Sequence, residues 1–262
     1  MKLLVLGGTR FLGRHLVTAA LARNHEITLF NRGKHPADAL KNVETIYGDR
    51  NSDLAKLHGR RWDAVVDTCG YLPRTVRASA EVLSQSVDAY VFISSQSVYS
   101  DVSRLGLDEN GPLSTLTSEQ LEKANRIDSS GQASAVTYGE MYGGLKALCE
   151  QAAEEVLPNR VFIIRPGLIV GPYDYTDRFI YWVVRVARGG EVLAPGRPDR
   201  RVQCQNSEES AVATGQLKPS EFAGREGGSR YVEGSVSSRR PRSTLNASAY
   251  PYQSSLWVYC TE

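Results

Sequence analysis

The stretch KLLVLGGTRFLG, Lys2 to Gly13, decides the fold. Lys2 to Leu6 is an apolar run of strand length, cut off by two glycines. From Phe11 to Arg23 the apolar residues Leu12, Leu16, Ala20 and Leu21 recur at helical spacing, and Asn24, which tolerates the left-handed conformation, stops the helix. Gly7 and Gly8 let the chain reverse sharply between the two elements, and Gly13 lets the helix lie close to the sheet. The helix N-terminus then presents free amides and the positive end of its dipole, which suit a pyrophosphate. Gly7, Gly8, Thr9, Arg10, Phe11, Leu12 and Gly13 are therefore candidate dinucleotide contacts.

Outward from this turn, strands and helices alternate. Glu26 to Phe30, Val43 to Tyr47, Asp63 to Thr68, Ala89 to Ser94 and Arg160 to Ile164 read as strands. Pro73 to Ser86, Thr137 to Val156 and Asp177 to Arg188 read as helices, the first with proline at its start. The alternation implies parallel pairing through right-handed crossovers. The apolar strands imply a sheet covered on both faces. The fold expected is a doubly wound, Rossmann-type α/β sheet, with ligands beyond the carboxyl ends of its strands. Leu107 to Ser134 interrupts the rhythm: it is polar, carries a short helical pattern at Ser118 to Arg126, and reads as a solvated insertion or a substrate lid.

Composition excludes other classes. Over 262 residues, 41% hydrophobic and 23% charged content is ordinary for a globular protein, and a net charge of +2 is too mild to point to nucleic acid. Cys69, Cys149, Cys204 and Cys260 lie far apart, with neither metal-like spacing nor a disulfide framework. No apolar run reaches the roughly 18 residues of a membrane span, and the short N-terminal run is no signal peptide, so a cytoplasmic location is expected.

Two features bear on the cofactor. A carboxylate ending the second strand would bind a ribose 2′-hydroxyl and favour NAD. This chain has Asn31 and Arg32 there, and Arg10 inside the glycine turn; guanidinium groups suit a 2′-phosphate, so NADP is expected over NAD. Asp49, after the third strand, is an adenine contact or a strand-end cap, and Thr68 joins the cofactor set at the end of the fourth strand.

The chemistry sits further along. Tyr142 and Lys146, at i and i+4, share one helix face, where an ammonium favours the phenolate. Ser95 ends the fifth strand at the rim where ligands collect, with a hydroxyl for a substrate carbonyl or alcohol. The three together can move a proton while a nicotinamide moves a hydride.

The chain resembles the extended short-chain dehydrogenase/reductases, in particular the NAD(P)-dependent epimerase/dehydratase group. The resemblance rests on GGTRFLG (7–13), FISSQSVYS (92–100), YGGLK (142–146) and RPGLIVGP (165–172), and covers roughly residues 1 to 203. It implies that Ser95, Tyr142 and Lys146 are catalytic and that Pro166 and Gly167 flank the nicotinamide. It implies a small-molecule substrate, with nucleotide sugars among the candidates, and homodimerisation through the YxxxK helix. Sugar dehydratases of the group carry an Asp-Glu pair after the serine; Gln96 and Ser97 cannot do that work, which leaves epimerisation or carbonyl reduction. The resemblance extends to chloroplast RNA-binding relatives, so a non-catalytic nucleotide- or RNA-binding module, or an inactive truncated relative, is the alternative.

The resemblance implies a domain of 1–172 for the cofactor and the start of a substrate lobe over 173–203. It further implies a strand and a longer lobe beyond that point. From Cys204 the character changes instead: there is no isoleucine, the only leucines are Leu217, Leu245 and Leu256, and serine is about a fifth of the residues. The segment 204–262 reads as lacking the expected strand and as disordered, with an incomplete substrate lobe and a frameshift, recombination joint or faulty gene reading near Gln203.

Overall fold

A computed structural model describes residues 1–35, 40, 42–103, 107–127, 133–193, 204–208, 210–211 and 230–232. Its strands are β1 (Lys2–Leu6), β2 (Glu26–Asn31), β3 (Glu44–Tyr47), β4 (Trp62–Asp67), β5 (Val87–Ile93), β6 (Val161–Ile164), β7 (Leu168–Val170), β8 (Cys204–Asn206) and β9 (Arg230–Val232). The helices are α1 (Phe11–Leu21), α2 (Pro73–Leu83), α3 (Ser118–Arg126), α4 (Ala135–Tyr138), α5 (Tyr142–Val156) and α6 (Ile180–Ala187). Seven strands form one parallel sheet in the order β3-β2-β1-β4-β5-β6-β9, and β7 pairs with β8 beside it. The strand order reverses between β1 and β4, which makes the carboxyl ends of those two strands the place for a ligand.

Period-two alternation explains why the strands are apolar throughout. Leu4 and Leu6 of β1, Val65 of β4 and Tyr90 and Phe92 of β5 face one core, against Val76, Ala80 and Leu83 of α2 and Cys149 and Ala153 of α5. Leu3 and Val5, Ala64 and Val66, and Ala89, Val91 and Ile93 face the other, against Leu12, Leu16, Val17 and Ala20 of α1. Both faces are covered, as the doubly wound reading requires.

The helix expected over Thr137 to Val156 is broken. Ser134 caps the short α4, Gly139 turns at a φ of 52°, and a 3₁₀ turn over Gly139–Met141 leads into α5. Tyr142 therefore opens its helix instead of lying within it. Asn24 does end α1 in the left-handed region, at a φ of 59°. The insertion is more than a solvated excursion: Thr117 and Gln120 form a capping box, and Ala124 is fully buried beside Tyr138, Met141 and Leu145.

The absence of a strand after Gln203 is likewise corrected. Polar CQN takes the strand position, because its backbone pairs in register with Leu168, Ile169 and Val170. Cys204 is buried there, Ala211 joins the core on the α1 face, and Arg230–Val232 extends the main sheet. The rest of 204–262 lies outside the described residues. Among the described residues, no helix is long and apolar enough to cross a membrane, and no cluster of ligating side chains could hold a metal.

Candidate active site

The glycine turn is built by two close approaches. Gly7 and Gly8 take φ values of 98° and 87°, and a Cβ on Gly7 would meet Thr68 Oγ1 at 2.6 Å. That hydroxyl donates to the Leu6 carbonyl at 2.8 Å, so Thr68 ties β4 to the turn. A Cβ on Gly13 would meet the Gly8 backbone at 2.8 Å. Arg10 opens α1 with no side-chain cap and no acid in the first turn, which leaves the helix N-terminus to an anion. The turn borders a cleft of about 690 Å³, within the range of small-molecule sites. All the residues expected to contact cofactor or substrate line this one cleft: Gly7 to Gly13, Asn31, Arg32, Asp49, Thr68, Ser95, Tyr142, Lys146, Pro166 and Gly167. Glycines that let a ligand approach the backbone, an uncapped helix end and a cleft of this size fit a dinucleotide.

At the β2 end the cleft is basic. Arg10, Arg32, Lys34 and His35 line it together. Arg10 lies over the Tyr175 ring, 3.6 Å from its centre, and donates to His35 Nε2 at 3.3 Å. Burial first, then the charges of Arg10, Arg32 and Lys34, hold the His35 pKa below its ordinary 6.5. Asn31 Oδ1 accepts from the Gly33 amide at 2.8 Å, while Asn31 Nδ2 is buried without a partner among the described residues. Asp49 lies 4.0 Å from Arg32, but its carboxylate also accepts from the Asn51 backbone and side chain at 2.8 and 2.9 Å. It organises the loop after β3 as well as facing the cleft.

At the opposite end, Ser95 leaves β5 and caps a 3₁₀ turn over Gln96–Val98, accepting from the Ser97 amide at 3.1 Å and donating to Ser97 Oγ at 3.1 Å. The Gln96 amide donates to the Pro166 carbonyl at 2.8 Å, which holds the segment after β6 against this turn. Gly167 in turn donates to Gln205 Oε1 at 3.2 Å, so β8 helps to fix that segment. Lys146 is buried, and its ammonium donates to the carbonyls of Ile93 and Gly70 at 2.6 and 2.8 Å. It also lies 4.3 Å from the centre of the Phe92 ring. Tyr71 stands between the Tyr138 and Tyr142 rings, 6.2 and 6.4 Å from each, and burial pushes its phenol far above the ordinary tyrosine range. Burial also pushes up the thiol of Cys69 beside the cleft, and that of Cys149 to about 12, so neither is a ready nucleophile.

Two buried ion pairs under the site escaped the reading of the sequence. Arg50 grips Asp67 with two hydrogen bonds of 2.8 Å, and Tyr90 donates its hydroxyl to the same carboxylate at 2.7 Å. Burial alone would raise the Asp67 pKa; the Arg50 charge and these hydrogen bonds outweigh it and hold the carboxyl below its usual range. Arg165 grips Glu150 of α5 at 3.0 and 2.7 Å and also donates to the Tyr99 hydroxyl at 3.1 Å. The available signal was position: Asp67 ends β4 directly after the apolar run Ala64 to Val66, and Arg50 lies in the loop after β3.

Comparison with known proteins decides the family. The family model described as NAD dependent epimerase/dehydratase matches residues 3–203. The chain belongs to that family. Its structural neighbours share the fold. MoeE5, solved with UDP-glucuronic acid and NAD, superposes with a TM-score of 0.64 at 21% identity, over 90% of this chain and 77% of its own. The UDP-N-acetylglucosamine 4-epimerase of Bacillus cereus gives 0.60 at 17% identity, over 89% of this chain and 78% of its own. Two curated relatives match in sequence. A 2-alkyl-3-oxoalkanoate reductase of Stenotrophomonas maltophilia is 28% identical over 220 residues, 81% of this chain and 64% of that protein. The chloroplast stem-loop binding protein of 41 kDa b of Arabidopsis thaliana is 32% identical over 114 residues, 37% of this chain. The chain thus spans 30% and 64% of the length of these two relatives.

Proposed function

We propose that this family member is an oxidoreductase or epimerase that acts on an alcohol or ketone and prefers NADP to NAD. The observation that carries the reading is convergence: the glycine turn, Ser95 and the Tyr142–Lys146 pair come from three separate places in the chain and border one cleft. Residues 1–172 then hold the cofactor, and 173–203 begin the substrate side.

Tyr142 exchanges a proton with the substrate oxygen. Ser95 gives that oxygen a hydrogen bond by turning its one hydroxyl proton from Ser97 Oγ to the substrate. Lys146, anchored by Ile93 and Gly70, sets a fixed positive charge at the cleft wall, one turn of α5 from Tyr142. The nicotinamide, when bound, supplies hydride chemistry. Gln96 and Ser97 carry no acid or base for dehydration, which supports reduction or epimerisation. The basic end of the cleft supports a 2′-phosphate, because charge-assisted donors converge there.

The names of the similar proteins supply the first substrates to try: 3-oxoalkanoates and UDP-sugars. The test is turnover of such a panel with NADPH and NADH, by the wild type and by Tyr142→Phe. The reading expects tighter binding of NADPH and a turnover abolished by the substitution. Nucleotide binding with no turnover, joined to salt-dependent RNA binding that survives Tyr142→Phe, would replace it with a non-catalytic module.

A further inference from the structure

We propose that His35 is a specificity residue of the NADP site: in its protonated form it joins Arg10 in gripping the 2′-phosphate, so that NADP is favoured over NAD increasingly as the pH falls. The inference rests on the cofactor preference proposed above and adds to it a residue and a pH dependence.

The geometry comes first. A guanidinium only donates, so the 3.3 Å contact from Arg10 makes His35 Nε2 the acceptor and the ring neutral. In that form His35 spends its inward nitrogen on Arg10. A phosphate oxygen at this corner can replace Nε2 as the acceptor for Arg10. The freed nitrogen then takes a proton and donates to the same anion, a charge-assisted bond in place of a neutral one.

The surroundings favour that exchange. From the start of α1 comes Arg10, 3.6 Å from the centre of the Tyr175 ring. From the loop after β2 come Arg32 and Lys34, and from the loop after β3 comes Asp49, 4.0 Å from Arg32. Asn31 adds a buried amide donor without a partner among the described residues. The three cations oppose a further charge on His35 when the site holds no anion. A dianion among them reverses that field and raises the affinity of His35 for a proton. Binding therefore takes up a proton on His35, and by linkage the phosphate-dependent part of the affinity grows as pH falls towards and below about 6.5.

The 2′-phosphate titrates in the same range, with a second pKa of about 6, and acts with the opposite sign. The wild-type profile alone would mix the two effects, and His35→Gln separates them, since glutamine keeps a hydrogen-bonding tip but does not titrate. His35 is exposed, so the substitution leaves the core intact. Dissociation constants for NADPH and NADH are measured by calorimetry from about pH 8 down to about pH 6, for both proteins. The wild-type preference for NADPH, divided by that of His35→Gln, is expected to rise about two- to fivefold over this interval, the scale of one partly exposed charge pair. Parallel curves for the two proteins, with NADPH still preferred, overturn the role of His35 and leave the cofactor reading standing. Equal affinities for NADPH and NADH at every pH overturn both.

Discussion

Arg50 and Asp67 face each other across two parallel hydrogen bonds of 2.8 Å, with the carboxylate wholly buried beneath the glycine turn. The pair joins the loop after β3 to the end of β4, and Tyr90 and the Cys69 amide occupy further positions on the carboxylate. Breaking one side of such a pair strands the other as an uncompensated buried charge. Asp67→Asn is expected to cost about 3–5 kcal/mol of stability, read from denaturant melts. An unchanged midpoint would show that the site relaxes to admit water.

The same pair sets a response to acid. The Asp67 carboxyl is held below its ordinary range in the folded chain, so its contribution is fully present above the unfolded pKa of about 3.9. It is lost as the pH falls through the lower folded value. The melting temperature of the wild type should therefore drop more steeply below about pH 4 than that of Asp67→Asn, which has no such proton to bind. Parallel acid limbs for the two proteins would remove Asp67 from the account of acid sensitivity.

Lys146 and Tyr142 share a helix but not a structural burden. The Lys146 ammonium satisfies two buried carbonyls, one at the end of β5 and one in the loop after β4. Lys146→Met leaves both without a donor, at about 1–3 kcal/mol each, and should lower the melting temperature by several degrees. Tyr142→Phe is expected to leave it within a degree or two. If Lys146→Met melts like the wild type, the ammonium is not an anchor.

The fold was legible because it depends on patterns local in sequence. KLLVLGG and the alternating apolar strands carry the parallel sheet within a few residues of the observed bounds, and the serine, tyrosine and lysine reach one cleft as their order implied. What was illegible depends on contacts across the chain. The break before Tyr142 follows from Gly139 and the Ser134 cap, local signals overridden in the reading by the long Ala- and Glu-rich pattern that follows. The Arg50–Asp67 and Arg165–Glu150 pairs join residues 17 and 15 positions apart, which no periodicity reports. The strand at Cys204–Asn206 has no apolar pattern of its own; pairing with Leu168–Val170 imposes it.

Gly143 shows how closely α5 and the Ser95–Ser97 turn are pressed together. A Cβ there would fall on the Ser97 carbonyl oxygen, nearer than any real side chain approaches a backbone atom. Ala would gain about 1 kcal/mol of helix propensity, but overpacking costs about 1–3 kcal/mol and would push the Ser95–Ser97 turn away from α5. Gly143→Ala is expected to be less stable than the wild type and, in an active preparation, to lose turnover more than cofactor affinity. A more stable Gly143→Ala would mean that the turn yields freely.

Tyr173 and Tyr175 brace two arginines at the start of α1. They follow β7 and lay their rings against Arg14 and Arg10, at 3.8 and 3.6 Å, across the start of α1. Each stacked guanidinium is held in place by the quadrupole of the ring, worth about 0.5–1 kcal/mol where water reaches it. Both tyrosines are largely exposed, so removing a ring should hardly touch the melting temperature. What it should change is the orientation of Arg10. Tyr175→Leu is expected to weaken NADPH binding about two- to fivefold and NADH binding less, since in the proposed site Arg10 serves the 2′-phosphate. Tyr173→Leu, which releases Arg14 instead, serves as the control and should leave the ratio of the two affinities unchanged. Equal weakening of both nucleotides by Tyr175→Leu would assign the ring to the cleft wall and not to the orientation of Arg10.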